Sequence, residues 1–156
     1  MAIAQRPSKI TLPAENRGWN TILDFLVAQF PLINKSIWLA RVDQGKVHWL
    51  DGKIIDSHSA FKSSAIVCYY REVEKEPKIP FEHNIVYQDK HILVACKPHF
   101  LPVTPGGQYV NECLLERLRQ QLDLPDLVAT HRLDRETAGL VMFSINAESR
   151  KDYCQL

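Results

Sequence analysis

The interpretation of this chain rests on the segment His131-Arg-Leu-Asp-Arg-Glu-Thr-Ala-Gly-Leu140. It places one carboxylate, that of Asp134, between the guanidinium groups of Arg132 and Arg135. Gly139 near its end is typical of irregular backbone that leads into a strand. Loops held on a rigid sheet often carry catalytic residues, and an aspartate beside cations is favoured in its charged form. We therefore expect an ionised aspartate on a loop.

The residues alone leave the role of this aspartate open. An ionised carboxylate in a cleft can act as a nucleophile or as a general base. The two neighbouring arginines also suit the phosphates of a nucleic acid. The alternative is a surface cluster of Arg132, Asp134 and Arg135 that only pins a turn.

The sequence on both sides of the segment predicts a sheet with flanking helices. Residues 84–88 and 91–96 alternate like two strands around the turn Asp89-Lys90, and Lys97-Pro98 ends the second strand. Residues 101–108 form a loop rich in proline and glycine. Residues 140–144 are expected to be a buried strand.

Two helices are predicted in this half of the chain. The first opens at Asn111, with Glu116, Arg117 and Arg119 on its outer face. Its apolar face consists of Cys113, Leu114, Leu115, Leu118 and Leu122. Asn146 is expected to cap a last helix that starts at Ala147.

Residues 71–80 differ in composition from the rest of the chain. They are charged, contain two prolines and show no apolar periodicity, which is typical of a linker. We therefore predict an N-terminal element over residues 1–73 and a second domain over residues 77–156.

The N-terminal element combines two helices with a small hairpin. Apolar residues recur at helical spacing between Trp19 and Phe30, and Asn34 or Ser36 can cap a second helix that stops at Gly45. Residues 46–50 and 53–55 are expected to pair around Asp51-Gly52. Residues 65–70 are expected to be a third strand. Together these elements predict an α+β fold.

Composition narrows the classes of function. The 156 residues are 46% hydrophobic and 24% charged, and the net charge is +1, which excludes a disordered chain and a polybasic one. No stretch predicts a transmembrane helix or a secretory signal. The four cysteines form no C-x-x-C pair, and the six histidines show no paired metal spacing. We expect reduced thiols, no metal and a cytoplasmic location.

The segment 131–140 resembles the signature H-R-L-D-R-x-T-x-G-L of the RluA-type pseudouridine synthases and matches all its fixed positions. Residues 85–98, 101–106 and 111–115 resemble further family segments in the same order. Ala138 departs from the family, in which most members have serine. The two helices and hairpin of residues 17–73 resemble an S4-type RNA-binding module in the order of their elements.

The resemblance implies an enzyme that isomerises a uridine in structured rRNA or tRNA, with the target base flipped out of its stem-loop and without a cofactor. Asp134 matches the catalytic aspartate. Arg132 matches the arginine that helps to hold or replace the displaced base. Arg135 is expected to stabilise the loop or contact phosphate, and His131 and Thr137 complete the proposed substrate-binding residues.

Family members continue beyond this motif with a K-x-Y segment and a basic residue, for which this chain has no matching positions. We therefore expect a truncated catalytic domain, inactive by itself, whose strand 140–144 has an unpaired edge and which self-associates. The alternative is an RNA-binding module with an incomplete, inactive second part. A phosphate-binding loop at residues 104–107 is disfavoured because it lacks the Walker spacing.

Overall fold

The computed structural model describes residues 1–155 and contains two compact units. The N-terminal unit is Ala4–Arg71, and the C-terminal unit combines Met1–Ile3 with the chain from Glu72 onward. None of the helices in the described chain has the length and apolarity needed to cross a membrane. The elements in chain order are β1 Ala2–Ile3, β2 Ser8–Thr11, α1 Ile22–Gln29, α2 Lys35–Asp43, β3 Val47–Trp49, β4 Ile66–Tyr69, β5 Glu72–Val73, β6 Asn84–Gln88, β7 Ile92–Lys97, α3 Leu114–Leu122, β8 Val128–Ala129, β9 Gly139–Ser144 and α4 Arg150–Cys154.

The N-terminal unit packs two capped helices against an antiparallel sheet of order β2-β4-β3. Thr21 and Asp24 form a capping box at the start of α1, in which each side chain accepts a hydrogen bond from the backbone of the other residue. Asn34 caps α2, as expected. The core that these elements share consists of Leu12, Ile22, Leu23, Phe25, Leu26, Trp38, Val42, Val47, Trp49, Ile55, Val67 and Tyr69.

Two expectations for this unit are wrong in part. Residues 53–55 return along β3 but do not form a full strand. They make the isolated bridge between His48 and Ile54 and two backbone hydrogen bonds, from the Trp49 N–H to the Lys53 carbonyl and from the Ile55 N–H to the Val47 carbonyl. Strand β3 pairs on its other side with β4, and β4 also pairs with β2, a strand that was not predicted. The class itself, α+β with antiparallel sheets, is confirmed, whereas the S4-like character of the unit stays a prediction.

The C-terminal unit is built on a sheet of order β6-β7-β9-β8, in which each neighbouring pair is antiparallel. Leu93, Ala95, Val141 and Phe143 lie on the same face of this sheet and are fully buried. Helix α3 covers that face through Leu114, Leu115 and Leu118, which belong to the same apolar core. The strands predicted around Asp89-Lys90 are confirmed.

The predicted helix at Asn111 differs from α3 in its start and in its outer face. Because Cys113 is the N-cap, α3 begins three residues later, at Leu114. Glu116, expected outside, is only 3% exposed and pairs with Arg119 at 2.5 Å. Arg119 in turn donates to the Leu127 carbonyl, so both side chains serve tertiary contacts.

The segment 71–80 is not a free linker. Its first residues form β5, which pairs with β1, and Ile79 is buried in the core of the C-terminal unit. One oxygen of Glu76 accepts hydrogen bonds from three successive backbone N–H groups, those of Val110, Asn111 and Glu112, at 2.6–2.7 Å. The charged residues of this segment therefore include one, Glu76, whose side chain binds backbone amides.

The expected unpaired edge at residues 140–144 is wrong in part, because β8 covers only the end of this strand. Strand β9 pairs with β7 along its whole length and with β8 at Phe143 and Ser144. Val141 and Phe143 are fully buried, whereas Leu140, on the opposite face of β9, is 57% exposed. Self-association of the chain stays a prediction.

The predicted last helix also starts later than expected. Ser149, rather than Asn146, is the N-cap of α4. The Asn146 side chain accepts from the backbone and hydroxyl of Ser149, and thus closes the turn that precedes the helix.

Candidate active site

The segment that contains Asp134 forms a loop between β8 and β9, which we call the motif loop (residues 130–138). Its start is fastened to β9, because Thr130 donates to the Met142 carbonyl through both its N–H and its hydroxyl, each at 3.0 Å. The Met142 N–H in turn donates to Nε2 of His131 at 3.1 Å. Its middle is a turn closed by the Thr137 N–H, which donates to the Asp134 carbonyl at 3.1 Å. A backbone hydrogen bond from β9 therefore holds the His131 ring.

Gly139 lets the motif loop turn into β9. Its φ is +153°, a conformation that side chains with a Cβ rarely adopt. A Cβ built there would lie 3.2 Å from Cδ1 of Leu133, a tight contact. Glycine at this position thus permits both the backbone angle and the packing of Leu133, a residue of the motif loop, against the core.

A second loop, residues 101–109, faces the motif loop and is called the cleft loop below. Leu101 and Val103 anchor it in the core, while its backbone carbonyls at Pro102 and Val103 accept from the first N–H groups of α3 at 2.8 and 3.0 Å. The two loops border a cleft of about 370 Å³. The residues that line the cleft are Pro102, Val103, Thr104, Pro105, Gly106, Gly107, Gln108, Tyr109, Arg132, Leu133, Asp134 and Arg135.

Asp134 is exposed on this cleft together with Arg132. Arg135 lines the cleft with Asp134, and its ion pair is with Glu136, at 2.7 Å. Arg135 also contacts the hydroxyl of Tyr109 at 3.5 Å. The hydrogen bond from Arg135 holds the pKa of Glu136 below its usual range and raises the pKa of Arg135 itself. Arg135 thus stabilises the motif loop and links it to the cleft loop.

Lys97 is a residue of this site that the sequence analysis identified only as the end of a strand. It is fully buried at the end of β7, and its ammonium donates to the carbonyls of Pro98, Leu101 and Arg135 at 2.8–3.0 Å. Burial lowers the pKa of Lys97, while the nearby carboxylates of Glu136 and Asp134 oppose that shift. Strand alternation could have identified it, because Leu93, Ala95 and Lys97 share one face.

The charged groups that line the cleft are the carboxylate of Asp134 and the guanidinium groups of Arg132 and Arg135. Among the residues that the structure describes, no three His, Cys, Asp or Glu side chains are placed to hold a metal ion. Thr137 is exposed on the motif loop, where its backbone closes the turn. Its role in substrate binding stays a prediction.

Comparison with known proteins gives a family for this site. Residues 91–156 match the family model described as RNA pseudouridylate synthase. An uncharacterised RNA pseudouridine synthase of Synechocystis sp. is 29% identical over 84% of this chain and 45% of its own length. The tRNA pseudouridine(31) synthase of Saccharomyces cerevisiae is 30% identical over 82% of this chain and 36% of its own.

The ribosomal large subunit pseudouridine synthase D of Pseudomonas aeruginosa is 30% identical, over 81% of this chain and 42% of its own length. The chain thus spans less than half of the length of these relatives. The matched residues contain the motif loop, the cleft loop and the buried Lys97 that joins them. The chain therefore belongs to the RluA-type RNA pseudouridine synthases.

Proposed function

We propose that the natural protein containing this chain converts a uridine of structured rRNA or tRNA into pseudouridine. In this reaction the N1–C1′ bond breaks, the uracil turns, and a C5–C1′ bond forms. The proton on C5 leaves and N1 gains one, so the product is an isomer and no oxidant or reductant is consumed. The proposal rests chiefly on Asp134, which lies exposed on a cleft between two fastened loops.

The position of Asp134 suits either chemical role that the family resemblance implies. An exposed carboxylate on a cleft can attack C1′ of the ribose or take a proton from its C2′. The backbone of the same residue is held by the Thr137 N–H, which fixes where the side chain starts. A fixed position matters because a displacement of about 1 Å can cost about 100-fold in rate.

The proposed substrate is a loop or bulge of folded RNA. An enzyme must reach C1′ and C5 of the same nucleotide, so the target base has to leave its stack. Loops and bulges lower that cost because their bases are already partly unstacked. One of the relatives is named for a tRNA and another for the large ribosomal subunit, which supports an RNA of either class.

Arg132 and Arg135 are proposed to have different roles. Arg132 lines the cleft beside Asp134, where its planar guanidinium could hold or replace the displaced base. Arg135 is engaged by Glu136 and Tyr109, which supports the loop-stabilising alternative over a phosphate contact. Only Arg132 is therefore proposed to act on the extruded nucleotide.

The decisive experiment is Asp134→Asn in the natural gene product, with tritium release from RNA labelled at uridine C5 as the readout. We expect turnover to fall by several orders of magnitude while RNA affinity is kept, because phosphate contacts dominate affinity. Asp126→Asn is the matched control, since Asp126 is exposed in the same unit outside the cleft. Substantial turnover in Asp134→Asn, or RNA binding without turnover in the unmodified protein, would contradict the proposal.

A second experiment separates the two arginines. Arg132→Lys keeps the charge but removes the planar fork, so we expect a large loss of turnover on a stem-loop and a smaller loss on single-stranded RNA. Equal losses on both RNAs would mean that Arg132 acts on the loop or on phosphate. Arg135→Lys is expected to affect both RNAs alike.

A further inference from the structure

Three aromatic side chains form an exposed cluster in the C-terminal unit. The ring centroids of Phe81 and Phe100 lie 6.1 Å apart, and those of His99 and Phe100 lie 6.0 Å apart. Phe81 is 46% exposed, Phe100 is 48% exposed, and His99 is exposed as well. We call these three residues the aromatic platform. Single exposed rings are common on protein surfaces, whereas a contiguous exposed cluster is typical of a binding surface.

The backbone of Phe100 also indicates a function for its ring. Its φ is +66°, in the left-handed region that glycine adopts readily and a bulky side chain rarely adopts. The next residue, Leu101, is fully buried and fastens this turn to the core, whereas about half of Phe100 stays exposed. Strained backbone of this kind is concentrated at functional sites, where the presented group compensates for the strain.

Hydrogen bonds hold the platform in place from two directions. Nδ1 of His99 donates to the carbonyl of Glu136, in the motif loop, at 2.7 Å. The guanidinium of Arg117 donates to the carbonyls of Phe81 and Ile79, each at 2.7 Å. The rings are therefore presented on fixed backbone, which reduces the entropy lost when a ligand stacks on them.

The platform is joined to both loops that border the cleft. Phe100 directly precedes the cleft loop, and His99 is hydrogen-bonded to the motif loop two residues after Asp134. An RNA strand whose target uridine enters the cleft brings its neighbouring nucleotides to these loops. A base on the platform would therefore flank the target and not replace it.

We propose that the aromatic platform stacks on a base that flanks the target uridine. This inference rests on the proposed function for the identity of the nucleotide in the cleft. When the target base is flipped out, the bases beside it lose a stacking partner. Aromatic rings can replace that partner for any base, because every base has a π-face. The expected contribution is about 5- to 150-fold in affinity for one stacked base.

The test measures the affinity of the natural gene product for a short oligouridylate and for an abasic strand of the same length. Phe100→Gly removes the ring and supplies the residue that this φ favours. We expect it to weaken oligouridylate binding about tenfold. Binding of the abasic strand should be unchanged, because the phosphate contacts are kept.

Two further variants control for the ring itself. Phe100→Tyr keeps an aromatic ring and should bind the oligouridylate like the wild type. Tyr87→Ala removes an exposed ring of β6 that does not belong to the platform, and it should change neither affinity. Equal weakening by Tyr87→Ala would mean that any exposed ring contributes, and would overturn the proposal.

Thermal unfolding separates a binding surface from a packing surface. Because Phe100→Gly relieves the left-handed strain, the melting temperature should be unchanged or raised. If another segment of the natural protein packed on the ring instead, the substitution would remove that packing and lower the melting temperature. A lowered melting temperature with unchanged affinity for the oligouridylate would overturn the proposal.

Photocrosslinking locates the contact directly. An oligouridylate with a single 5-bromouridine is irradiated in the complex, and the modified peptides are identified by mass spectrometry. We expect crosslinks at Phe81, His99 or Phe100, with a lower yield in Phe100→Gly. Crosslinks confined to other parts of the protein, or equal affinity of the wild type for the two strands, would also overturn the proposal.

The outcomes of this test and of the Asp134→Asn test are independent. Retained turnover in Asp134→Asn, together with weaker oligouridylate binding in Phe100→Gly, would refute the catalytic role and leave the platform as an RNA-binding surface. Lost turnover in Asp134→Asn, together with unchanged oligouridylate binding in Phe100→Gly, would refute the platform and leave the proposed function.

Discussion

In the N-terminal unit the core is built on aromatic rings, whereas the core of the C-terminal unit is mainly aliphatic and has charged groups at its margin. Phe30, Trp38 and Tyr69 lie within 5.5 Å of one another by ring centroids, and the buried Arg41 stacks over the Trp38 ring. In the C-terminal unit the buried charges are Lys97 and Glu116.

The difference concerns what each unit has to hold in place. Ring packing stabilises short helices and a small sheet without fixing any single loop. In the C-terminal unit, the side chains of Lys97, Glu76 and Arg119 bind backbone carbonyls or amides of loops and turns. Where irregular backbone leaves polar groups without a backbone partner, these charged side chains satisfy them.

Trp38→Ala gives the largest expected effect on this comparison. Removing a fully buried indole should destabilise the N-terminal unit by about 3–5 kcal/mol. The measurement is pulsed thiol labelling during denaturant unfolding, because the buried Cys68 reports on the N-terminal unit and the buried Cys113 on the C-terminal unit. We expect faster labelling of Cys68 and an unchanged rate at Cys113.

Phe143→Ala is the reciprocal variant. It should lower the free energy of unfolding of the C-terminal unit by a similar amount and so accelerate the labelling of Cys113. Leu32→Ala, at a residue that is 100% exposed, is the control and should change neither rate. If either core variant accelerates both cysteines equally, the two units unfold as one cooperative body and the comparison fails.

Glu76→Gln tests whether a charged side chain that binds backbone amides stabilises the C-terminal unit. The amide keeps the shape of the side chain but loses the charge that receives three backbone N–H groups, which should cost about 1–2 kcal/mol. Cys113 follows these amides directly, and burial raises its pKa to about 12, so its labelling requires opening. The exposed Glu74→Gln is the matched control, and equal rates in both variants would show that Glu76 carries no anchoring role.

Thr21→Ala tests local stabilisation in the N-terminal unit. The substitution removes the hydroxyl that accepts from the Asp24 N–H and should cost about 1 kcal/mol. Labelling of Cys68 measures it, and Ser63→Ala in an exposed loop is the control. A loss as large as that of Trp38→Ala would mean that capping rather than ring packing dominates this unit.

The smallest expected effect is a pH dependence of the same cap. Hydrogen bonds from Thr21 lower the pKa of Asp24, so the cap stabilises the folded state above the usual aspartate range. This stabilisation should be lost as the pH falls through the lowered folded pKa. Asp24→Asn should flatten the acid limb of stability measured by tryptophan fluorescence during denaturant unfolding, since Trp19, Trp38 and Trp49 all lie in the N-terminal unit. An unchanged acid limb would contradict the assignment.

The elements of the fold that are determined by residues close together in the sequence were predictable. Helix α2 with its Asn34 cap, the strands around Asp89-Lys90 and the glycine before β9 follow from caps, alternation and turn residues. The start of α3 was not predictable in this way, because Cys113 rather than Asn111 is the N-cap residue. Strand β2 was missed because a four-residue strand gains its stability from its partner β4.

The sequence by itself determined the family, through a motif whose residues are contiguous and therefore readable without the fold. It also placed Asp134 and Arg132 on one loop. Only the tertiary structure decided that Arg135 binds Glu136, that Glu76 binds the backbone ahead of α3, and that β8 pairs with the end of β9.

The same holds for Lys97, which lies 38 residues from its acceptor at Arg135. A hydrogen bond between distant residues depends on strand register and on the exclusion of water. Neither is encoded in the local pattern of residue types. Local sequence therefore indicates which groups are available for chemistry, and the packing of the sheet decides which of them meet.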